Sequence, residues 1–490
     1  MKIEKVLVAN RGEIAVRVMR ACQEMGISTA AVYSEADREM PHVAMADEAY
    51  CIGEPAPSES YLNMDKIIAA CKETGAQAVH PGYGFLSENS KFAKRCESEG
   101  ITFIGPSAET ISLMGDKIQA KQLARSAHVP TAPGSEGVVE TVEDAVALAE
   151  QIEYPVALKA AAGGGGRGIR MAHNEATLRN VFKQVQSEAQ AAFKDGRLYL
   201  EKCFENFRHI EVQILGDVHG HIVHLFEREC SLQRRRQKVI EETPAVNLEP
   251  DMREEICEAA VRLAEKVGYF NAGTVEFMLD VDTNEFYFLE MNTRIQVEHP
   301  VTEMVTGLDL VKEQIRIAYG HKLGRGQRDV ERRGHAIECR ITAEDHTNRF
   351  LASGGTVESL ILPGGPGVRV DTHLYPGYTI PPFYDALLAK LVVWAPTRAE
   401  AIARAARALA EFEITGLKTT IPFHREVLAN AYFRRGERSP PTSCNTGWGC
   451  CDEPRVGGHV CGADAPLSSG PRRGRLNRPW GDDERQENLR

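Results

Sequence analysis

Glu290-Met-Asn292-Thr-Arg294-Ile-Gln296-Val-Glu298-His-Pro300 places a polar residue at every even position from 290 to 298. In an extended chain alternate side chains share a face, so Glu290, Asn292, Arg294, Gln296 and Glu298 form one polar row. Met291, Ile295 and Val297 then turn toward a core. A solvated strand face also alternates, but it rarely mixes carboxylate, amide and guanidinium so evenly over five positions. The preceding run Thr274-Val-Glu276-Phe-Met-Leu is strand-like, and Asp282-Thr-Asn-Glu reads as a turn. The hairpin brings Glu276 near Glu290 and Asn292. Two carboxylates and an amide oxygen are hard ligands suited to Mg2+ or Mn2+ on nucleotide phosphates.

Upstream, Lys159-Ala-Ala-Ala-Gly163-Gly-Gly-Gly166-Arg-Gly168 lies between strand-like Pro155-Val-Ala-Leu and Ile169-Arg-Met. Successive glycines let backbone N–H groups fold over phosphate oxygens, and a nearby lysine adds charge. A flexible linker is the bland alternative; the flanking strands favour a glycine-rich lid. Neither G-x-G-x-x-G nor the P-loop pattern is present. Four cations fall within Arg234-Arg235-Arg236-Gln-Lys238, which on composition alone fits a surface stripe as well as a site. His209 alone reads as an ordinary satisfied histidine.

Short apolar runs and helical patterns alternate through the first hundred residues. Lys5 to Asn10, Ser28 to Tyr33, Ala76 to His80 and Thr102 to Gly105 read as strands. Ile14, Val18, Ala21, Cys22 and Met25 mark one helix face. This rhythm predicts a parallel, doubly wound layer. Strand-like segments fill 335–437, with a helix near 397–412, and there is no internal repeat.

The chain has 490 residues, 43% hydrophobic and 26% charged, with net charge -11. That suits two to four soluble domains and argues against wholesale nucleic-acid binding. No apolar run is long enough to span a membrane, and the start carries no signal segment, so a cytoplasmic protein is expected. Residues 438–490 differ sharply: four of twelve cysteines, two of three tryptophans, eight arginines, no lysine and no apolar period. They read like out-of-frame translation of a GC-rich gene. A zinc site from Cys444, Cys450, Cys451, His459 and Cys461 is disfavoured by its spacing.

Taken in order, Ala9-Asn-Arg-Gly-Glu-Ile-Ala15, His80-Pro-Gly-Tyr-Gly-Phe-Leu-Ser-Glu-Asn89, Met114-Gly-Asp-Lys117, the glycine lid, Gln233-Arg-Arg, the 290–303 segment, Gly334-His-Ala-Ile-Glu-Cys-Arg340 and Tyr384-Asp385 resemble the biotin carboxylase family over residues 3–437. The resemblance implies a Rossmann-like domain at 1–114, an ATP-grasp domain at 115–330 with its lid at about 137–203, a β-rich C-terminal domain at 331–437 and an atypical tail at 438–490. It implies ATP contacts from Lys117, Lys159, Gly165, Gly166, Glu201, Lys202, His209, Gln233, Arg236, Glu276 and Glu290, and metal ligands Glu276, Glu290 and Asn292. Lys238, Arg294, Gln296 and Val297 match the bicarbonate site, Glu298 the general base, and Arg340 the group that stabilises the biotin enolate. Tyr83 matches the biotin side.

The implied reaction is ATP- and bicarbonate-dependent carboxylation of biotin through carboxyphosphate, the first half-reaction of acetyl-CoA carboxylase. Implied partners are a biotin carboxyl carrier protein, carboxyltransferase subunits and a second copy of the chain. Alternatives are service to another acyl-CoA or pyruvate carboxylase, a different ATP-grasp ligase, or a weakened assembly subunit. The sequence departs from the family's pattern at Arg236, where histidine is common, and after Glu437, where a closing helix is expected.

Overall fold

Ten elements alternate through the first 115 residues: β1 (Lys5–Val8), α1 (Gly12–Glu24), β2 (Ser28–Ser34), α2 (Pro41–Met45), β3 (Glu48–Gly53), α3 (Met64–Thr74), β4 (Ala78–His80), α4 (Ser90–Ser98), β5 (Thr102–Phe103) and α5 (Ala108–Gly115). The strands form one parallel sheet in the order β3-β2-β1-β4-β5, the doubly wound layer that the sequence rhythm predicts. Ile14, Val18, Ala21 and Cys22 of α1 are buried. Edge strand β3 escapes sequence reading because Glu48, Ala49 and Cys51 are exposed and only Ile52 is buried, so it carries almost no apolar signal.

The computed structural model describes residues 3–161 and 168–437. Gly165, Gly166 and the cysteine-bearing tail lie outside the described residues. After α6 (Lys117–Ser126) comes a small layer of α7 (Val142–Ile152), β6 (Val156–Ala160), β7 (Ile169–Ala172), α8 (Glu175–Phe193) and β8 (Leu198–Lys202). β6 pairs antiparallel with β7, Lys159 opposite Ile169, so the glycine run does join two hairpin strands.

The chain continues through β9 (Phe207–Gly216), β10 (Ile222–Arg234), β11 (Gln237–Thr243), α9 (Pro250–Lys266), β12 (Asn271–Asp280), β13 (Phe286–Asn292), α10 (His299–Thr306), α11 (Leu310–Ala318) and β14 (His335–Thr342). Three two-residue strands, β15 (Glu344–Asp345), β16 (Leu351–Ala352) and β17 (Leu360–Ile361), precede β18 (Val368–Thr372) and β19 (Leu387–Ala395). The described part closes with α12 (Arg398–Glu411), β20 (Glu413–Ile414), α13 (Ile421–Ala429) and α14 (Ala431–Arg435). One antiparallel sheet runs β13-β12-β9-β10-β11-β14-β19-β18. It crosses position 330, because β11 pairs with β14, Glu241 opposite Glu338. Two apolar cores lie along that one sheet: α9 covers one end through Ile256, Ala260 and Leu263, and α12 the other through Ala401, Ala405 and Leu409. Among the described residues no helix is long and apolar enough to cross a membrane.

The polar row is extended only as far as Asn292, where β13 ends. Residues 293–298 leave the sheet as a loop, and Glu298 stands at the N-cap of α10, whose first turn contains Pro300. A proline there gives up only an N–H that the helix cannot use. Met291 and Ile295 enter the core as expected; Val297 is half-buried and offers its carbonyl to Lys390.

Candidate active site

The hairpin of β12 and β13 sets Glu276 directly opposite Glu290, and Thr274 opposite Asn292. β9 lies on the other side of β12, with Glu211 opposite Glu276. Glu276 Oε1 accepts hydrogen bonds from Asn292 Nδ2 at 2.9 Å, Gln296 Nε2 at 2.9 Å and Lys238 Nζ at 3.0 Å. Its other oxygen lies 3.2 Å from His209 Nε2. Burial would raise the Glu276 carboxyl, but Lys238 and His209 hold it well below the usual carboxylate range. Burial would lower His209, and Glu276 more than offsets that, so its pKa is raised.

Lys238 follows the tight turn that joins β10 to β11. Arg235 and Arg236 occupy that turn with positive φ of 48° and 64°. The turn residues are exposed, whereas Lys238 reaches inward to Glu211, Glu276 and, at 2.5 Å, Glu298 Oε1. The basic run thus splits: Arg234 stacks over Phe350 while Lys238 enters the site. Burial would lower the Lys238 ammonium, but the three carboxylates hold it well above its usual value. Gln233, opposite Lys238, donates to the Cys230 carbonyl at 2.9 Å.

Glu298 is buried and held from two sides, by Lys238 and by Arg340 Nη2 at 2.8 Å. Burial would raise its carboxyl, yet Lys238, Arg340 and Arg228 depress it well below the usual range. Arg340 on β14 also donates to Glu241 Oε1 at 2.5 Å. Arg294 bonds Asn292 Oδ1 at 3.1 Å and Glu88 Oε2 at 2.9 Å, joining the loop to the N-terminal layer. Tyr83 donates to Glu13 on α1.

A second group forms around Lys117, at the start of α6, whose ammonium lies 2.9 Å from Glu290 Oε2. Lys159 and Lys121 both pair with buried Glu201 on β8. Lys202, the next residue of β8, points the opposite way, donating to the Glu153 and Tyr154 carbonyls at 3.0 and 3.2 Å. Its side chain is therefore not part of the lysine group. The lysines flank the Glu276–Glu290 pair, so hard oxygen ligands for Mg2+ lie beside cations suited to phosphate oxygens. That donor set fits a magnesium nucleotide. His209, Glu211 and Glu276 also bring ligand atoms within 4.8 Å of one another.

Several organising residues carry no assignment from sequence. Arg228 is fully buried and donates to Glu211, Gln213, Thr302, Thr274 and Gln296, all at 2.5–3.1 Å. Its signal lies in His209-Ile-Glu211-Val-Gln213, a second alternating polar row on β9. Lys121 follows Lys117 by one helical turn, and Glu88 sits inside the motif that contains Tyr83.

Three family models cover the chain in succession: Biotin carboxylase, N-terminal domain at 2–111, Carbamoyl-phosphate synthase L chain, ATP binding domain at 116–325, and Biotin carboxylase C-terminal domain at 338–442. With the site geometry they define a three-part ATP-grasp ligase. "Biotin carboxylase 1" of Bacillus subtilis is 55% identical over 435 residues, covering 89% of this chain and 97% of the relative. "Biotin carboxylase" of Nostoc is 56% identical over 439 residues, covering 90% and 98%. The crystal structure of the Hydrogenobacter thermophilus 2-oxoglutarate carboxylase biotin carboxylase domain dimer, in complex with MgADP, ADP and bicarbonate, matches with TM-score 0.86 and 52% identity, covering 89% of this chain and 96% of that one. The chain belongs to the biotin carboxylase family. It is accordingly an ATP-dependent ligase that carboxylates biotin.

Proposed function

We propose that Lys117, Lys159, Gly165, Gly166, Glu201, Lys202, His209, Gln233 and Arg236 receive ATP, while Glu276, Glu290 and Asn292 would hold Mg2+ or Mn2+. The metal, when bound, neutralises phosphate charge beside the lysines. Lys202 enters this set through its backbone, since its side chain is engaged elsewhere. Lys238, Arg294, Gln296 and Val297 receive bicarbonate next to Glu298. Bicarbonate is a poor nucleophile until its proton leaves, and Glu298 takes that proton. A strongly depressed carboxyl is a weak base, but an anion beside Glu298 raises its affinity for a proton. Attack on the γ-phosphate then gives carboxyphosphate and ADP.

Carboxyphosphate breaks down to CO2 and phosphate. The phosphate takes the ureido proton of biotin, and the nitrogen attacks CO2. Negative charge on the ureido oxygen is offset by Arg340, whose guanidinium stays protonated throughout, while Tyr83 lines the biotin side. The observation that carries this reading is the grip of Lys238 and Arg340 on opposite oxygens of Glu298.

The biotin is expected on a carrier protein, with carboxyltransferase subunits completing the enzyme and a second copy of the chain completing a dimer. We favour acetyl-CoA as the eventual acceptor in a cytoplasmic enzyme. Service to another carboxylase is the second reading, favoured by the 52% identity to a 2-oxoglutarate carboxylase small subunit. Steady-state phosphate release with and without bicarbonate and free biotin tests the activity. Release that requires bicarbonate and rises with biotin supports it; bicarbonate-independent release overturns it. Carboxyl transfer assayed with acetyl-CoA, pyruvate and 2-oxoglutarate in the reconstituted complex separates the acceptors.

A further inference from the structure

One fully buried cation behind the site has no part in the reaction described above. Lys390 lies in the apolar strand β19, Leu-Leu-Ala-Lys-Leu-Val-Val-Trp-Ala, and has no solvent exposure. A buried ammonium persists only where its charge and its three N–H donors are met. Here Lys390 Nζ donates to the Val297 carbonyl at 3.0 Å, lies 3.1 Å from Glu13 Oε2, and stands 3.9 Å from Asp371 Oδ2. Glu13 in turn accepts the Tyr83 hydroxyl.

Val297 is the residue between Gln296 and Glu298, in the loop that has already left the sheet. β13 does not fix that loop: His299 Nδ1 holds the Gln296 carbonyl at 2.7 Å, and Lys390 holds the Val297 carbonyl that follows it. On the neighbouring strand, Arg340 is the cross-strand partner of Lys390. The same pair of residues therefore holds Glu298 twice, Arg340 through its carboxylate and Lys390 through the preceding carbonyl.

We propose that Lys390 is a positioning residue: by pinning the Val297 carbonyl it sets the Glu298 carboxylate between Lys238 and Arg340, and through Glu13 it ties that loop to Tyr83. This rests on Glu298 acting in bicarbonate activation. Lys390 touches no reacting atom in this arrangement and acts through its neighbour.

The test is a double-mutant cycle in phosphate-release assays at saturating bicarbonate and biotin. Lys390→Met should lower kcat about 10- to 100-fold, the scale of a small misplacement of a reacting group. The ATP KM should stay within about twofold, since the lysine group near Glu290 is untouched. In a Glu298→Gln background the same change should alter the residual kcat less than about twofold, because the group it positions is already gone. An equal loss in both backgrounds, or a wild-type kcat in Lys390→Met, overturns the proposal. If Lys390→Met does not accumulate folded, Glu13→Gln carries the test. It keeps the shape of Lys390's partner while removing its charge, and it should give the same kcat-specific loss, again absent with Glu298→Gln. A wild-type chain whose phosphate release ignores bicarbonate would instead refute the underlying activity, a distinct result.

Discussion

Lys238 Nζ lies 2.5 Å from Glu298 Oε1, and the same ammonium reaches Glu276 and Glu211. One cation thus bridges three buried carboxylates drawn from β9, β12 and the start of α10. The hairpin proposed to hold the metal and the proposed base are electrostatically one unit.

Lys238→Gln should cost about 3–5 kcal/mol of stability at neutral pH, because it strands buried charges. Glu276 and Glu298 have depressed folded pKa values, so they stabilise above their unfolded values, and this contribution is lost as pH falls through the folded values. Without Lys238 that contribution shrinks, so the deficit should narrow on acidification. Denaturant midpoints of both proteins at pH 7 and at about pH 3.5, below the unfolded carboxyl value, measure it.

Glu241 behaves in the opposite sense. Burial raises it, Arg340 lowers it and Glu298 raises it again, leaving it at about 7 against an ordinary 4.5. Between those values the folded chain holds a proton that the unfolded chain has released, so stability falls as pH rises through the window. Glu241→Gln lacks this slope. Relative to wild type it should gain about 2–3 kcal/mol between pH 4.5 and pH 7, measured by chemical denaturation. Parallel curves would contradict the assignment.

Glu88 holds Arg294 from the N-terminal layer and also accepts from the Thr293 N–H at 3.2 Å. Glu88→Gln should raise the bicarbonate KM about tenfold, as expected for a lost charge-assisted bond, while the ATP KM stays near wild type. Initial rates against each substrate check this.

Glu290 pairs with Lys117 at the proposed metal position. Glu290→Gln should raise the half-saturating Mg2+ concentration by at least about tenfold, and chelation should abolish turnover of both proteins. Metal titration of phosphate release measures the shift.

The parts of this site written in local period were legible in the sequence. The 274–292 hairpin follows from alternation around a turn, and its register places Glu276 opposite Glu290. The row beyond Asn292 is grouped as expected but by another route: Arg294, Gln296 and Glu298 arrive from a loop and a helix cap, which strand period does not encode. Glu241 and Glu338 meet because β11 and β14, nearly a hundred residues apart, are neighbours in one sheet. Sequence spacing holds no record of that pairing. Lys390 was hidden differently, as one charge within a strand whose apolar composition reads as core. A lone lysine there is itself a signal of a buried partner.

The most direct measurement compares Glu298→Gln with wild type in biotin-dependent turnover, with ATP affinity determined on the same samples. Turnover should fall by about 10²- to 10⁴-fold, the usual contribution of a general base, while ATP binds as tightly as in wild type. Full biotin-dependent turnover in Glu298→Gln would contradict the account.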